Sequence, residues 1–470
     1  MKTSEKPYLL LPIETKVREF QGKVLLSCFA AEKGFNVLLA DQNEMLRLLN
    51  SLPRGIYIDK SIVRTKIGNF SKNLKIGNRV VAWCEEGLSF RVPETYLKER
   101  ISYKAYGMTD YFFAWGPYHA KTLRQKLGEA SSKVICTGNP RFDLLREPYR
   151  SFFLPEKEKI LSTYGPFILI NTNFSRYNHF YGRDFMIKNL KAAGRVKDEE
   201  HEDFLERWSD YLGEMYHEFI EMSVGLHRAF PDRTIIIRPH PSESLETWKK
   251  ATESFPNIKV IQDGNVIPWI MASDVMIHNS CTTGVESYIL GEPVISYCPL
   301  TSEVYDSFLP NSLSRKAFCL DELVSLIREA TADPSGFVAK TQGDAGAKEV
   351  AERYISGIAG LTACENIVLM LRKLVDENPS LGIQKKISMF EKGKRQMDVQ
   401  AISCKRWMKR LLTRGRGIDA YMKQKFPGLD LEEVQQAVDI FRKTSHRFTT
   451  VTVRNYRGMH SCFLISQNAI

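Results

Sequence analysis

Long apolar runs are missing from this chain of 470 residues. A membrane-spanning helix needs about 20 consecutive apolar residues, and no run approaches that length. The polar start at residues 1–6 and the short apolar run Tyr8 to Ile13 do not form a signal peptide, which requires a longer apolar region and a cleavage site. We therefore expect a cytoplasmic protein.

Several motifs of metal and cofactor binding are also missing. The chain has no Cys-x-x-Cys, Asp-x-Asp, His-Glu-x-x-His, Walker-type or Gly-x-Gly-x-x-Gly sequence. Its nine cysteines stand singly, most of them in apolar runs such as those around Cys28, Cys136 and Cys298, which predicts reduced, buried thiols. We therefore expect neither a metal nor a cofactor beyond the substrate itself.

Positive charge is concentrated near the C-terminus. Residues 381–430 hold thirteen Lys and Arg against four Asp and Glu, out of a net charge of +11 for the whole chain. Within them, Cys404, Met408, Leu411 and Leu412 recur at helical spacing. Such a helix suits an anionic membrane surface, which predicts peripheral association through residues 381–425. The alternative is a helix that packs back on the lobes. Sparse aromatic residues argue against nucleic acid.

Apolar strand-like runs alternate with helical patterns over most of the chain, which predicts an α/β fold with parallel sheets. We predict two Rossmann-like lobes that face a central cleft, with a basic C-terminal extension. The predicted boundaries are 1–147, 148–378 and 379–470. The small, polar residues 333–346 are expected to form a surface loop.

Polar clusters follow two strands of the predicted second lobe. The run Thr234 to Ile237 ends in Arg238-Pro239-His240-Pro241, and Val275 to Ile277 ends in the polar residues 278–284. Ligands of parallel sheets bind beyond the carboxyl ends of strands, and a helix that begins after such an end directs free N–H groups toward a phosphate. His240 is the predicted catalytic imidazole. The predicted donor-binding residues are Asn171, Thr172, Asn173, Arg238, Pro241, Asn279, Ser280, Thr282, Thr283, Gly284 and Glu286.

The first lobe carries one paired carboxylate at a strand end, Glu85-Glu86, followed by Gly87. Adjacent acids repel each other, so we expect at least one raised pKa, which suits a general base or a carboxylate nucleophile. Gly87 is expected to let a substrate approach the backbone. For each of these clusters an ordinary structural turn or helix cap remains the alternative.

Glu85-Glu86-Gly87, His240-Pro241 and Ser280 with Thr282-Thr283 resemble, in this order, three short motifs of GT-B glycosyltransferases that use CMP-activated acidic sugars such as Kdo and sialic acid. The opening Leu11 to Phe20, with Leu52 to Tyr57 and Ile168 to Asn173, is similar to bacterial surface carbohydrate biosynthesis proteins. That second resemblance covers most of residues 8–375.

The resemblance implies a GT-B fold with an acceptor lobe followed by a nucleotide lobe. It implies that His240 contacts the donor phosphate, that Ser280 and Thr282 lie near it, and that Glu85 or Glu86 acts at the reacting centre. The implied activity is transfer of a sugar, from a nucleotide-sugar donor, to a polysaccharide or lipid-linked glycan of the cell surface. Two alternatives stay open: a non-catalytic glycan- or nucleotide-binding assembly protein, and an epimerase or polyol-phosphate transferase on the same fold.

Overall fold

The computed structural model describes residues 6–90, 92–192, 196, 198–382, 426, 428–457 and 459–468. The chain divides into two compact units. The first is formed by Met1–Leu88, Val92–Phe152 and Tyr354–Ile470, and the second by Ser89–Arg91 and Phe153–Arg353. Each unit has its own sheet, so the predicted α/β class and the two Rossmann-like lobes are confirmed.

The first unit is built on a sheet of eight strands in the order β13-β14-β2-β1-β3-β4-β5-β6. The strands β1 to β6 run parallel, as buried apolar runs joined by helices require. The strands are β1 (Tyr8–Ile13), β2 (Asn36–Asp41), β3 (Gly55–Asp59), β4 (Arg79–Trp83), β5 (Tyr111–Ala114), β6 (Val134–Cys136), β13 (Val451–Tyr456) and β14 (Met459–Gln467).

Helices cover this sheet. They are α1 (Lys16–Glu32), α2 (Gln42–Leu48), α3 (Ile67–Lys75), α4 (Pro93–Arg100), α5 (Tyr103–Gly107), α6 (Pro117–Leu127), α7 (Pro140–Asp143), α18 (Ala363–Glu377) and the next described helix, α19 (Leu431–Ser445). The helix α1 is buried along most of its length because α7, α18, α19 and β14 pack around it. Short 3-10 turns lie at Leu49–Ser51, Arg64–Lys66, Gly128–Lys133, Tyr149–Phe153 and Pro379–Gly382.

The C-terminal residues complete this first sheet. The strands β13 and β14 form an antiparallel hairpin, and β14 pairs antiparallel with β2. The sequence run from His446 to Ile465, rich in Phe, Thr, Val and Tyr, is therefore a hairpin whose apolar side chains, such as Phe463 and Ile465, are buried.

The second unit has six parallel strands in the order β12-β11-β10-β7-β8-β9. Residues on one face, among them Ile170, Ile237 and Ile277, form the core against the long helix α10. The strands are β7 (Phe167–Asn171), β8 (Thr234–Arg238), β9 (Ile258–Val260), β10 (Val275–His278), β11 (Val294–Tyr297) and β12 (Arg315–Ala317). The helices are α8 (Leu154–Tyr164), α9 (Phe185–Ala192), α10 (Glu199–Ala229), α11 (Leu245–Thr252), α12 (Val266–Ala272), α13 (Thr283–Leu290), α14 (Phe308–Ser312), α15 (Leu320–Ala332), α16 (Pro334–Gln342) and α17 (Ala345–Tyr354).

Two features differ from the sequence prediction. Residues 333–346 are not a loop, because Asp333 caps α16 by accepting a hydrogen bond from the Gly336 N–H and Phe337 is buried in the core. The boundaries also differ: α18 and the C-terminal hairpin belong to the first unit, whereas the sequence assigned residues 354–378 to the second lobe. Of the basic segment 381–430, residues 383–425 and 427 lie outside the described residues.

Candidate functional site

Three polar side chains end adjacent strands of the second unit. In the parallel register Asn171 lies beside Arg238 on one side and His278 on the other. The preceding residues Ile170 and Ile237 face the core under α10, so this polar row lies on the opposite face of the sheet. Asn171 and Arg238, two of the residues predicted to bind the donor, are therefore neighbours in the sheet.

Asn171 is buried, and neither its amide oxygen nor its amide nitrogen has a hydrogen-bond partner among the described residues. An unsatisfied buried polar group costs about 1–3 kcal/mol. Buried polar groups of native proteins are nearly always paired, so an amide left without a partner calls for an explanation. Its place at the end of a central strand is the position where ligands of parallel sheets bind.

Arg238 is oriented by the backbone of the following segment. Its guanidinium donates to the carbonyl oxygens of Asp263 (2.8 Å) and Gly264 (3.3 Å), and it lies 4.6 Å from the centre of the Trp269 ring. Burial lowers the pKa of Arg238 to about 10. Its Nε is buried without a hydrogen-bond partner among the described residues. Two of its five N–H groups are thus used within the protein, and the predicted role of Arg238 in donor binding falls to the three that remain.

The turn that carries His240 is held by Glu243. One Glu243 carboxylate oxygen accepts from the Thr172 hydroxyl (2.9 Å), the Phe174 N–H (2.8 Å) and the His240 N–H (3.1 Å), and the other accepts from the Trp248 indole (3.0 Å). Burial raises the pKa of Glu243, and these hydrogen bonds oppose that rise. Glu243 thereby ties the turn after β8 to the turn after β7.

The His240 ring has a defined tautomer. Its Nδ1 accepts from the Ser242 N–H at 3.2 Å, so in the neutral imidazole the proton resides on Nε2. An Nε2–H group is a donor, as the expected contact with a phosphate oxygen requires. The neighbouring Pro241 is exposed.

The turn after β10 is strained at Ser280. This residue has φ +48°, a left-handed conformation that non-glycine residues seldom adopt. Its hydroxyl oxygen accepts from the Ser307 N–H and the Asn311 amide, both at 3.1 Å. The Asn279 side chain accepts from the Asn173 N–H at 2.8 Å. These bonds fix the predicted residues Asn173, Asn279 and Ser280 as one rigid corner.

The start of α13 packs against a buried histidine. A Cβ atom at Gly284 would lie 2.4 Å from His278 Nε2, so only glycine fits here. His278 binds the Ser314 hydroxyl at 2.9 Å, and burial lowers its pKa to about 3. Gly284 was predicted to bind the donor, but packing against His278 is sufficient to explain why a glycine stands at this position. Of the other predicted residues here, Thr282 is exposed, Thr283 is half-buried and Glu286 is buried.

The paired carboxylates of the first unit occupy different environments. Glu85 is buried, accepts from the Trp83 indole at 2.7 Å and lies 3.5 Å from Arg141. The Glu86 side chain is 45% exposed and is bound by Arg18 at 2.9 Å. Glu86 is therefore the member of the pair that a substrate can reach.

The raised pKa that was predicted for at least one of the two carboxylates is not found at Glu86. Burial acts to raise the pKa of Glu86, but the positive charges of Arg18 and Arg100 outweigh it and hold the pKa below its ordinary value. Glu86 is consequently a carboxylate at neutral pH. That form suits a base or a nucleophile, although a lowered pKa makes it the weaker base.

Gly87 does not leave room for a substrate. A Cβ at Gly87 would lie 2.3 Å from Cε1 of His119, whose imidazole fills that space. His119 Nδ1 accepts from the Trp115 N–H at 3.2 Å, so its Nε2–H donates to the Tyr96 oxygen at 2.8 Å. The expectation for Gly87 is corrected accordingly: the glycine is needed for packing on His119.

Sequence reasoning did not single out Glu243, Arg18 or His119. The signal for Glu243 was an acid three residues after His240, inside a turn whose free N–H groups need an acceptor. Arg18 and His119 are distant in sequence from Glu86 and Gly87, so no local pattern links them. Among the described residues, no group of three or more His, Cys, Asp or Glu side chains is placed to hold a metal ion.

Comparison with known proteins finds matches among solved structures alone. No protein family and no curated protein matches the chain. Among solved structures, a putative UDP-N-acetylglucosamine 2-epimerase from Listeria monocytogenes is similar with a TM-score of 0.49 and 14% identity, over 79% of this chain and 98% of that one. UDP-GlcNAc 2-epimerase from Neisseria meningitidis, bound to UDP-GlcNAc, is similar with a TM-score of 0.44 and 15% identity, over 79% of this chain and 100% of that one.

The wall teichoic acid polymerase TagF gives a TM-score of 0.48 and 10% identity, over 80% of this chain and 90% of that one. At such low identities and scores, these similarities carry no argument about the substrate of this chain. Within the part of the chain that the structure describes, no helix combines the length and the apolar character that a membrane crossing requires.

Proposed function

We propose that this chain is a glycosyltransferase that takes its sugar from a nucleotide donor and attaches it to a cell-surface polysaccharide or lipid-linked glycan. The observation that carries the proposal is the buried Asn171 amide, unpartnered among the described residues, at the end of β7. Leaving such an amide unpaired costs about 1–3 kcal/mol, and this cost is tolerated where a ligand supplies the missing hydrogen bonds.

The surrounding turns support the same proposal. Glu243 holds His240 with its Nε2–H as a donor, and the Ser280 corner is strained and cross-linked. Backbone strain that the surroundings maintain is typical of binding and catalytic sites. In the proposed reaction an acceptor hydroxyl forms a bond to the anomeric carbon while the bond to the donor phosphate breaks. The phosphate keeps the electron pair, and His240 stabilises its growing charge.

The motif resemblance also implies a catalytic role for the carboxylate pair of the first unit. On that resemblance Glu85 or Glu86 takes the acceptor proton in an inverting reaction, or attacks the anomeric carbon in a retaining one. We assign this role to Glu86, the member of the pair that a substrate can reach. Its exposure, and an ionised state maintained by Arg18, agree with either role. The predicted cleft between the two lobes stays a prediction, as does association with a membrane surface through residues 381–425.

The test is nucleotide release by the full chain from CMP-sialic acid, CMP-Kdo, UDP-glucose, UDP-GlcNAc and CDP-glycerol, with and without a surface-glycan acceptor. We expect acceptor-dependent release from at least one nucleotide sugar. His240→Ala should lower that rate by about 100- to 1,000-fold. The control is His446→Asn, which changes an exposed histidine of the first unit to a residue that tolerates the same left-handed backbone conformation.

Different outcomes point to the alternatives. If a UDP-sugar is converted to its epimer without an acceptor, the activity is epimerisation and not transfer. If CDP-glycerol is turned over and none of the nucleotide sugars is, the protein is a polyol-phosphate transferase. Binding of a nucleotide sugar with no turnover of any donor would identify an assembly protein that binds without catalysis.

A further inference from the structure

A group of aromatic side chains follows β7 in the second unit, and two of its members face solvent. Phe180 is 49% exposed and Tyr181 is 63% exposed. Large apolar side chains are mostly buried in folded proteins, and a contiguous exposed group of them marks a surface that binds a partner or a ligand. We call His179, Phe180, Tyr181 and Phe185 together the aromatic platform.

The rings of the aromatic platform pack on one another. The His179 ring lies 4.6 Å from that of Phe185 and 4.9 Å from that of Phe180, with planes 24° and 23° apart. The Tyr181 ring lies 3.8 Å from that of Phe180 and 4.7 Å from that of Phe185. This packing restricts the rotation of each ring, so a ligand that stacks on the exposed rings has little side-chain entropy to remove.

The aromatic platform is joined to the turn that carries His240. The Phe180 N–H donates to the Ser242 carbonyl oxygen at 3.1 Å, and the Ser244 N–H donates to the Asn178 carbonyl oxygen at 2.8 Å. Ser242 follows His240 by two residues, which span about 7 Å at most. The backbone of the platform therefore lies beside the histidine that is proposed to contact the donor phosphate.

The charges around the aromatic platform are balanced. The charged residues of the same segment are Arg183, Asp184 and Lys188, and each has a partner of opposite charge, since Arg183 binds Asp210 and Asp184 binds Lys188. Burial lowers the pKa of His179, so its imidazole is neutral at pH 7. An anionic membrane surface is attracted by unpaired basic residues, so this surface suits a neutral ring better than a lipid headgroup.

We infer that the aromatic platform binds the base of the nucleotide donor, which stacks on the exposed rings of Phe180 and Tyr181. The inference rests on the proposed function, which places the donor phosphate at His240. A single ribose separates the base of a nucleotide from its phosphate, so the base needs a surface close to the phosphate contact. The acceptor is assigned to Glu86 of the first unit, and the platform is therefore left to the donor. Aromatic side chains stack on every base, because every base has a π-face.

The experiment measures binding of the full chain by calorimetry to ribose 5-phosphate, CMP and UMP. All three contain a ribose and a phosphate, and only the two nucleotides contain a base. We expect at least one nucleotide to bind about tenfold or more tightly than ribose 5-phosphate. Phe180→Ala and Tyr181→Ala should each lower the affinity for that nucleotide about tenfold, and the loss should not extend to ribose 5-phosphate.

A conservative variant and a matched control complete the series. Tyr181→Trp keeps an aromatic face, so it should retain the affinity that Tyr181→Ala loses. Phe318→Ala removes a ring that is 52% exposed elsewhere in the second unit, and it should leave the affinity for all three ligands unchanged. The midpoint of urea unfolding shows whether each variant is folded.

Three results would overturn the inference and leave the proposed function in place. In the first, CMP and UMP bind no more tightly than ribose 5-phosphate, so the base is not stacked. In the second, a nucleotide binds more tightly but neither alanine variant weakens it, so its base lies elsewhere. In the third, the alanine variants keep the nucleotide affinity and instead raise the KM for a glycan acceptor or weaken binding to phosphatidylglycerol vesicles. If the folded chain binds none of the three ligands, the proposed function fails together with the inference.

Discussion

A Cβ atom at Gly284 would lie 2.4 Å from Nε2 of His278, and the same relationship recurs in the first unit between Gly87 and His119 at 2.3 Å. In each case the glycine follows a strand end and the imidazole is buried. Two glycines that resemble family motifs are therefore also packing requirements, and their substitution would affect stability as well as binding.

Gly284→Ala should destabilise the protein by about 1–3 kcal/mol, because the added methyl group displaces a buried imidazole. The midpoint of urea unfolding measures the effect. Gly68→Ala is the control, since it lies in α3 with no atom within 4 Å of the added Cβ and should be neutral or slightly stabilising. An unchanged midpoint for Gly284→Ala would contradict the packing relationship.

Acid should destabilise the protein through the two buried histidines. Burial lowers the pKa of both His119 and His278 to about 3, below the ordinary value near 6.5 that applies after unfolding. Between these values the unfolded chain binds more protons, so stability falls as the pH decreases from about 6.5 toward 3, by up to about 1.4 kcal/mol per pH unit for each histidine.

The measurement for this prediction is the urea midpoint at pH 7.5 and pH 5.5. His278→Gln should reduce the difference between the two midpoints, because it removes one of the two buried histidines. The exposed His446 lies in a left-handed conformation, so His446→Asn is the suitable control and should keep the full pH dependence. An equal slope for His278→Gln and the original chain would argue against a buried neutral His278.

Asn171→Leu should stabilise the unliganded protein and abolish nucleotide binding. The leucine removes an amide that has no partner among the described residues, which is worth about 1 kcal/mol or more. Asn178→Leu provides the contrast: the Asn178 amide is bonded to Ser244 and Thr247, so its loss should destabilise. A destabilised Asn171→Leu variant would mean that the amide is satisfied within the protein, by bound water for example.

Glu243→Gln should destabilise the second unit by about 2–3 kcal/mol, because the amide group would face the Trp248 donor and the remaining bonds would lose their charge. It should also weaken nucleotide binding, since the turn that carries His240 loses its anchor. Urea unfolding measures the loss of stability, and calorimetry measures the loss of affinity for the nucleotide. Glu246→Gln, exposed and paired with Lys249, should change neither.

Arg18→Gln should raise the pKa of Glu86, because it removes the nearest positive charge while leaving the burial of the carboxyl in place. If Glu86 acts as a carboxylate, the acid limb of the pH–rate profile should move to higher pH. Arg47→Gln, an exposed arginine near Glu44, should leave the profile unchanged. A profile that Arg18→Gln does not shift would place the titrating group elsewhere.

Most strands and helices could be read from local pattern. The runs that begin at Tyr8, Asn36, Arg79 and Thr234 are five or six residues long and largely apolar, and they are strands where the pattern predicts them. The three-residue strands β9 and β12 were not predicted, because each contains basic residues and so lacks the continuous apolar run that marks the equally short β6. The helix at residues 334–342 was missed because its small residues look like a loop, whereas its capping by Asp333 and the burial of Phe337 stabilise it.

The α/β class, the alternation of strands and helices and the polar residues at strand ends follow from periodicity and from neighbours along the chain, so they can be predicted without coordinates. Three other features emerge from the folded chain alone: α18 and the C-terminal hairpin complete the first unit, Arg18 binds Glu86, and Asn171 has no partner among the described residues. These features depend on which residues, distant in sequence, come into contact in the folded protein. Contacts of that kind have no signature in the local sequence pattern.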